Sequence, residues 1–188
     1  MAEAVSTQRK KIHPHKFTLW VGIGSILMMF AGLTSAYIVK RNQAKWVTFE
    51  LPMAFWYSTA AIVLSSITLF VAGRSFKNRE MQKYRSLMTA TLILGFLFIG
   101  MQILGFSQLV QQGFGLGKTV SVDFLWVIVG LHAAHVIGGI IALIVLFGKS
   151  FSNKTRNYTS VPVEVTSTYW HFVDILWIYL LFFLIMIR

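Results

Sequence analysis

The sequence predicts an all-α fold, a polytopic membrane helix bundle with five transmembrane helices. Three observations predict it. Of the 188 residues, 56% are hydrophobic and only 12% charged, with a mean hydropathy of +0.67, a composition outside the range of soluble domains. The apolar residues gather into five runs free of Lys and Arg, each near the roughly 20 residues of helix that cross a bilayer core of about 30 Å. The 17 Lys and Arg fall in the flanks of those runs.

The runs cover about residues 17–39, 51–73, 87–110, 124–148 and 165–187, and the need to satisfy every backbone group in lipid makes all five helical. Residues 1–16 read as a basic cytoplasmic N-terminal segment ending in Lys10, Lys11 and Lys16. The first run is longer than a signal-peptide core and no small-residue cleavage site follows it, so it is expected to stay as an anchor. It carries Gly32 and Ala36, a short small-residue strip. The second run carries Ser58, Thr59, Ser65, Ser66 and Thr68, hydroxyls able to bond to their own helix or to a neighbour. In the fourth, Gly130, Ala134 and Gly138 recur every four residues and Gly139 widens the strip, the pattern of a close helix contact. Trp20, Trp46, Trp56, Trp126 and Trp170 lie near span ends, as interfacial anchors do.

The charge distribution orients the bundle. On alternate sides of the membrane the flanks hold 12 and 5 Lys and Arg, which puts the N-terminus inside and the C-terminus outside. The net charge of +11 is therefore a topology signal. Nucleic-acid binding is excluded, because the basic residues form no continuous face and match no reader motif.

Polar groups at membrane depth are expensive and need partners. His132 and His135 in the fourth run, and His171 and Asp174 in the fifth, are each spaced i, i+3 and share a face. Trp170 and Trp177 flank Asp174 at one turn, so an indole N–H within the same helix could donate to the carboxylate. The plainest reading is a hydrogen-bonded structural cluster that locks the fifth helix against the fourth; a proton relay is the alternative. At 1.5 Å per residue Asp174 is about 14 Å and His135 about 20 Å from the inner side, so helix tilt decides whether they meet. A helical carboxylate-bridged metal site needs several more acids, and Glu3, Glu50, Glu80, Asp123 and Glu164 fall in tails, loops or span ends. Glu164 sits in the first turn of the fifth helix, where a negative charge meets the helix dipole. With no cysteine in the chain, disulfides, thiolate-held metals and Cys-linked haem are absent from it. No catalytic, cofactor-binding or metal-ligating residue is expected.

On these residues the chain resembles subunit III of the haem-copper oxidases, cytochrome c oxidase in particular. The resemblance rests on Glu164-x4-Tyr169-Trp170-His171-Phe172-Val173-Asp174-x2-Trp177 and on Gly130-Leu131-His132-x2-His135-Val136-Ile137-Gly138. Leu51-Pro52 leading to Ser58-Thr59 and Ser65-Ser66, and Phe30-Ala31-Gly32 to Ala36-Tyr37, add weaker matches. Five helices match the shorter bacterial form, which lacks the first two of seven.

The resemblance implies a non-catalytic core subunit of a proton-pumping terminal oxidase in the bacterial cytoplasmic membrane. It implies packing against subunit I, further contact with subunit II and small subunits, haem and copper held in those partners, structural phospholipids in a cleft, and support of proton uptake. Two positions depart from the family. Ile26 stands where relatives often carry an acid, and Gly105 where many carry Glu three residues after the residue matching Gln102, which joins the expected buried polar set. Both departures remove buried carboxylates, weigh against proton relay through this chain and favour structural support. Val173 and the adjoining Tyr169-Trp170 point to the cytochrome c branch over a quinol oxidase. A small proton channel or transporter is the alternative of another class, opposed by the absence of broken helices, since Pro52 lies at a span edge.

Overall fold

The computed structural model describes residues 14–41, 52–151 and 160–187. Segment 1–13, Trp46, Glu50 and Leu51 lie outside the described residues. Five α-helices follow one another: α1 Pro14–Arg41, α2 Met53–Lys77, α3 Met81–Gln111, α4 Val120–Phe151 and α5 Val161–Met186. Each is long and apolar enough to cross a membrane, and no strand occurs among the described residues.

The helices overrun the apolar runs that predict them. A charge ends an apolar run but not a helix, so Lys40 and Arg41 close α1 and Arg74 and Lys77 lie in the last turn of α2. There the cations also meet the negative end of the helix dipole. At α3, 31 residues correspond to about 46 Å of helix, more than the hydrocarbon core requires.

Short turns fix the α2–α3 hairpin. α2 ends with Arg79 in the left-handed region (φ 61°), while Glu80 N–H donates to Ser75 C=O and Arg79 N–H to Phe76 C=O. This is a Schellman motif. α3 ends the same way with Gly113 (φ 94°), Phe114 N–H donating to Leu109 and Gly113 N–H to Val110. The last turn of α4 is capped by a side chain, Arg85 Nη2 and Nε donating to Ser150 C=O at 2.6 and 3.1 Å.

α5 is the central helix. Half of its apolar window is buried, against 17% for α1. It lies against α1, α2 and α4; α2 and α3 pair closely, α3 meets α4, and α1 meets α4 and α5. The backbones of α1 and α2 do not come together, which leaves a groove between them floored by α5. The largest fully buried side chains, Trp170, Trp177, Tyr84, Phe30, Phe55 and Phe98, come from all helices but α4.

Candidate functional site

The interior site is built around two tryptophans of α5, seven residues apart and so on one face. Trp170 is 1% exposed and touches three helices. Its Nε1 donates to Ser65 Oγ of α2 at 3.1 Å, and its benzo ring lies on Gly95 of α3 and Gly139 of α4. A Cβ at Gly95 would stand 3.1 Å, and one at Gly139 2.9 Å, from the indole. Glycine is what admits the ring. Trp170 is therefore no interfacial anchor, contrary to its place near a predicted span end: α5 begins at Val161, roughly 14 Å earlier along the axis. Trp20 and Trp56, by contrast, are 63% and 52% exposed.

Trp177 repeats the arrangement two turns on. Its Nε1 donates to Thr59 Oγ1 of α2 at 2.9 Å. Its ring stacks on Phe55 (5.9 Å, 27°) and on His132 (5.2 Å, 28°), with Phe98 edge-on at 5.3 Å. His132 is fully buried. Phe30 and Phe98 approach its ring edge-on at 6.4 and 6.2 Å, and neither nitrogen has a hydrogen bond.

The His171 and Asp174 pair turns to a different helix from the one expected. His171 Nδ1 shares a 2.6 Å hydrogen bond with Ser66 Oγ of α2. Asp174 is buried, and neither oxygen makes a well-formed hydrogen bond; the Ser66 hydroxyl engaged by His171 is the polar group beside it. Both indoles face α2, so neither caps the carboxylate, and no hydrogen bond joins His171 or Asp174 to His132 or His135. What holds α5 to α4 is aromatic: Trp170 on Gly139, Trp177 on His132, and Tyr169 OH donating to His135 C=O at 3.1 Å. His135 is half-buried, its Nδ1 bonded to Leu131 C=O at 2.7 Å and its ring edge-on to Phe30.

The remaining expected residues divide. Gln102 is buried and its Nε2 donates to Ser58 Oγ at 2.9 Å. One turn on, the space beside Gly105 is filled by Phe55, whose ring would stand 3.3 Å from an added Cβ; Ile26 packs against the core. Of the small residues, Gly139 alone is tightly packed. Gly130, Ala134, Gly138 and Gly32 are exposed and Ala36 is half-buried, with nothing within 4 Å of a Cβ at Gly130 or Gly32 and only Tyr169 OH, at 3.7 Å, near one at Gly138. The four-residue strip is thus not where α4 meets its neighbours in this chain, because Val129, Val136, Ile140 and Leu143 turn the buried face elsewhere.

The α2 hydroxyls expected to bond to their own helix or to a neighbour, together with Thr91 of α3, complete the site. Thr59, Ser65 and Ser66 accept or share the bonds of Trp177, Trp170 and His171, while Thr68 and Thr91 join α2 to α3 at 2.9 Å. Their signal in the sequence is the seven-residue repeat of Ser58-Thr59 and Ser65-Ser66. At the other end of α5, Glu164 Oε2 pairs with Lys16 of α1 at 2.8 Å and Oε1 lies 3.9 Å from Lys77 of α2. These residues rim a groove of about 650 Å³ that reaches His171. Among the described residues no three His, Cys, Asp or Glu come together as a metal site would need.

The family model described as cytochrome c oxidase subunit III matches residues 43–187, well over half of the chain. The chain belongs to the haem-copper oxidase subunit III family. It is similar to the cytochrome c oxidase subunit 3 of Bacillus sp. strain PS3, 25% identical over 166 residues covering 86% of this chain and 80% of that protein. The probable cytochrome c oxidase subunit 3 of Nocardia farcinica is 32% identical over 84% of this chain and 80% of its own length. The cytochrome bo(3) ubiquinol oxidase subunit 3 of Pseudomonas aeruginosa is 28% identical over 86% and 79%. Subunit III of both oxidase types is thus among the relatives.

Proposed function

We propose that the chain is the non-catalytic core subunit III of a proton-pumping cytochrome c oxidase. It braces the catalytic subunit I, contacts subunit II, binds phospholipid and supports proton uptake, while haem and copper reside in the partners. The membrane is the bacterial cytoplasmic one, with the basic segment 1–16 and the N-terminus inside, the five-helix domain 17–188 in the bilayer and the C-terminus outside. The observation that carries this reading is how the polar side chains of α5 are used. Trp170, His171 and Trp177 are engaged by hydroxyls of α2, which is what a brace requires. The groove between α1 and α2, apolar in its walls and cationic at its rim, suits a phospholipid.

An oxidase purified without this chain should begin oxygen consumption at close to the full rate and lose it over repeated turnovers; a normal lifetime contradicts the brace. The likeness to a ubiquinol oxidase subunit 3 supports a second reading, in which the electron donor is a quinol. Donor oxidation by the purified complex separates the two: cytochrome c oxidised and quinol untouched favours the first, the reverse the second.

A further inference from the structure

The α1/α2 groove has a charge pattern that a helix cap does not explain. Lys16 on α1 and Arg74 and Lys77 on α2 line it, with Glu164 on α5 as the acid among its lining residues. Arg74 sits over the Phe70 ring at 4.6 Å. Glu164 reaches both walls at once, 2.8 Å to Lys16 and 3.9 Å to Lys77. Among the described residues, ion pairing between the two walls runs through this carboxylate, and the wall backbones themselves stay apart. The lysine side chains are 43% and 66% exposed, so each pair is individually weak and readily exchanged.

We propose that Glu164 is an ionic strap across the mouth of the groove, displaced when a lipid phosphate takes over Lys16 and Lys77. Without lipid, the carboxylate holds α1 and α2 together at this end. When an anionic lipid enters, its phosphodiester oxygens replace the Glu164 oxygens on the lysines and the walls are joined through the headgroup, whereas a zwitterionic lipid, its phosphate offset by its own ammonium, leaves the strap in place. The strap is therefore a competitor that sets how strongly the groove prefers anionic over zwitterionic lipid. A zwitterionic headgroup brings an ammonium for which Glu164 is the partner; an anionic one meets only repulsion from it. This rests on the lipid-binding reading above and adds to it the residue that regulates the site.

The test uses the intact complex, with the chain carrying Thr18→Cys and Asn78→Cys for paired spin labels at exposed positions on α1 and just beyond α2. It is reconstituted in nanodiscs of phosphatidylglycerol or phosphatidylcholine with the same acyl chains. Removing Glu164 with Glu164→Gln should raise retention of phosphatidylglycerol relative to phosphatidylcholine about fivefold, the scale of one exposed ion pair. In phosphatidylcholine it should also lengthen or broaden the label distance. Lys16→Gln cuts the strap from the other wall: it should broaden the distance similarly while lowering phosphatidylglycerol retention. Unchanged selectivity and distance in Glu164→Gln would overturn the strap. Retention of neither lipid by any of the proteins would overturn the lipid reading, and the distance would still decide whether Glu164 ties the walls.

Discussion

Trp170 is the residue on which the interior depends most. Its ring needs the missing side chains of Gly95 and Gly139, and its N–H needs Ser65. Trp170→Ala should lower the stability of the chain by about 3–5 kcal/mol, the range for emptying a large aromatic site, measured as the loss of helical signal on denaturant titration in detergent. Gly139→Ala drives a methyl into the indole and should cost about 1–3 kcal/mol, while Trp170→Phe in the same protein should recover part of that cost. Strict additivity of the two changes would show that they do not touch. The polar pair beside them is used unequally. Ser66→Ala leaves His171 Nδ1 without its partner and should cost about 0.5–1.5 kcal/mol, whereas Asp174→Asn, at a carboxylate with no well-formed hydrogen bond, should be close to neutral in the same titration. The sequence made His171 and Asp174 conspicuous because ionisable groups in apolar runs are rare. It could not say which helix they face, since an i, i+3 spacing defines a face and not the neighbour opposite it. Trp170 lies deeper than its distance from a charged flank suggests for a related reason: α5 starts before its apolar run does.

At the scale of elements, α2 does for α5 what the small-residue strip of α4 was expected to do. Its hydroxyls at Thr59, Ser65 and Ser66 engage Trp177, Trp170 and His171 of α5, while α4 offers a glycine, an imidazole face and a backbone carbonyl. Thr59→Val with Ser65→Ala should weaken the α2–α5 contact by about 0.6 kcal/mol per bond, with an upper value near 1.7; an unchanged denaturation midpoint would mean that the hydroxyls are incidental. The hairpin ends were open to local reasoning. Gly113 has φ 94°, so Gly113→Ala should cost about 1–2 kcal/mol at the α3 terminus, seen as a lower midpoint in the same titration. The five helices themselves were legible because length and hydropathy decide them without knowledge of tertiary contacts. Which helices adjoin was not, since lipid supplies no solvent-facing side from which to read a buried one.

For the whole molecule, the fold separates a well-bonded centre on α5 from an α1 that is mostly exposed and an α4 strip that opens outward. Gly130 and Ala134 on that strip are exposed, and the N-inside orientation expected from the excess of Lys and Arg on one side is open to a direct test. Single cysteines placed in this cysteine-free sequence should report it directly: Asn78→Cys labelled only from the cytoplasmic side and Gly115→Cys only from the other. Reversed labelling would refute the N-inside topology. Family membership was readable from the two motifs on the last two helices, yet a motif names residues and not the work they do here, and the branch of oxidase is not written in them. The central claim is that this bundle supports redox centres it does not hold. Its most direct measurement is the reduced-minus-oxidised absorption spectrum of the material recovered by affinity purification of the chain in mild detergent. The account predicts haem bands in the recovered complex, carried by partner subunits, and none from the chain separated from them. A colourless homo-oligomer that conducts protons in liposomes would contradict it.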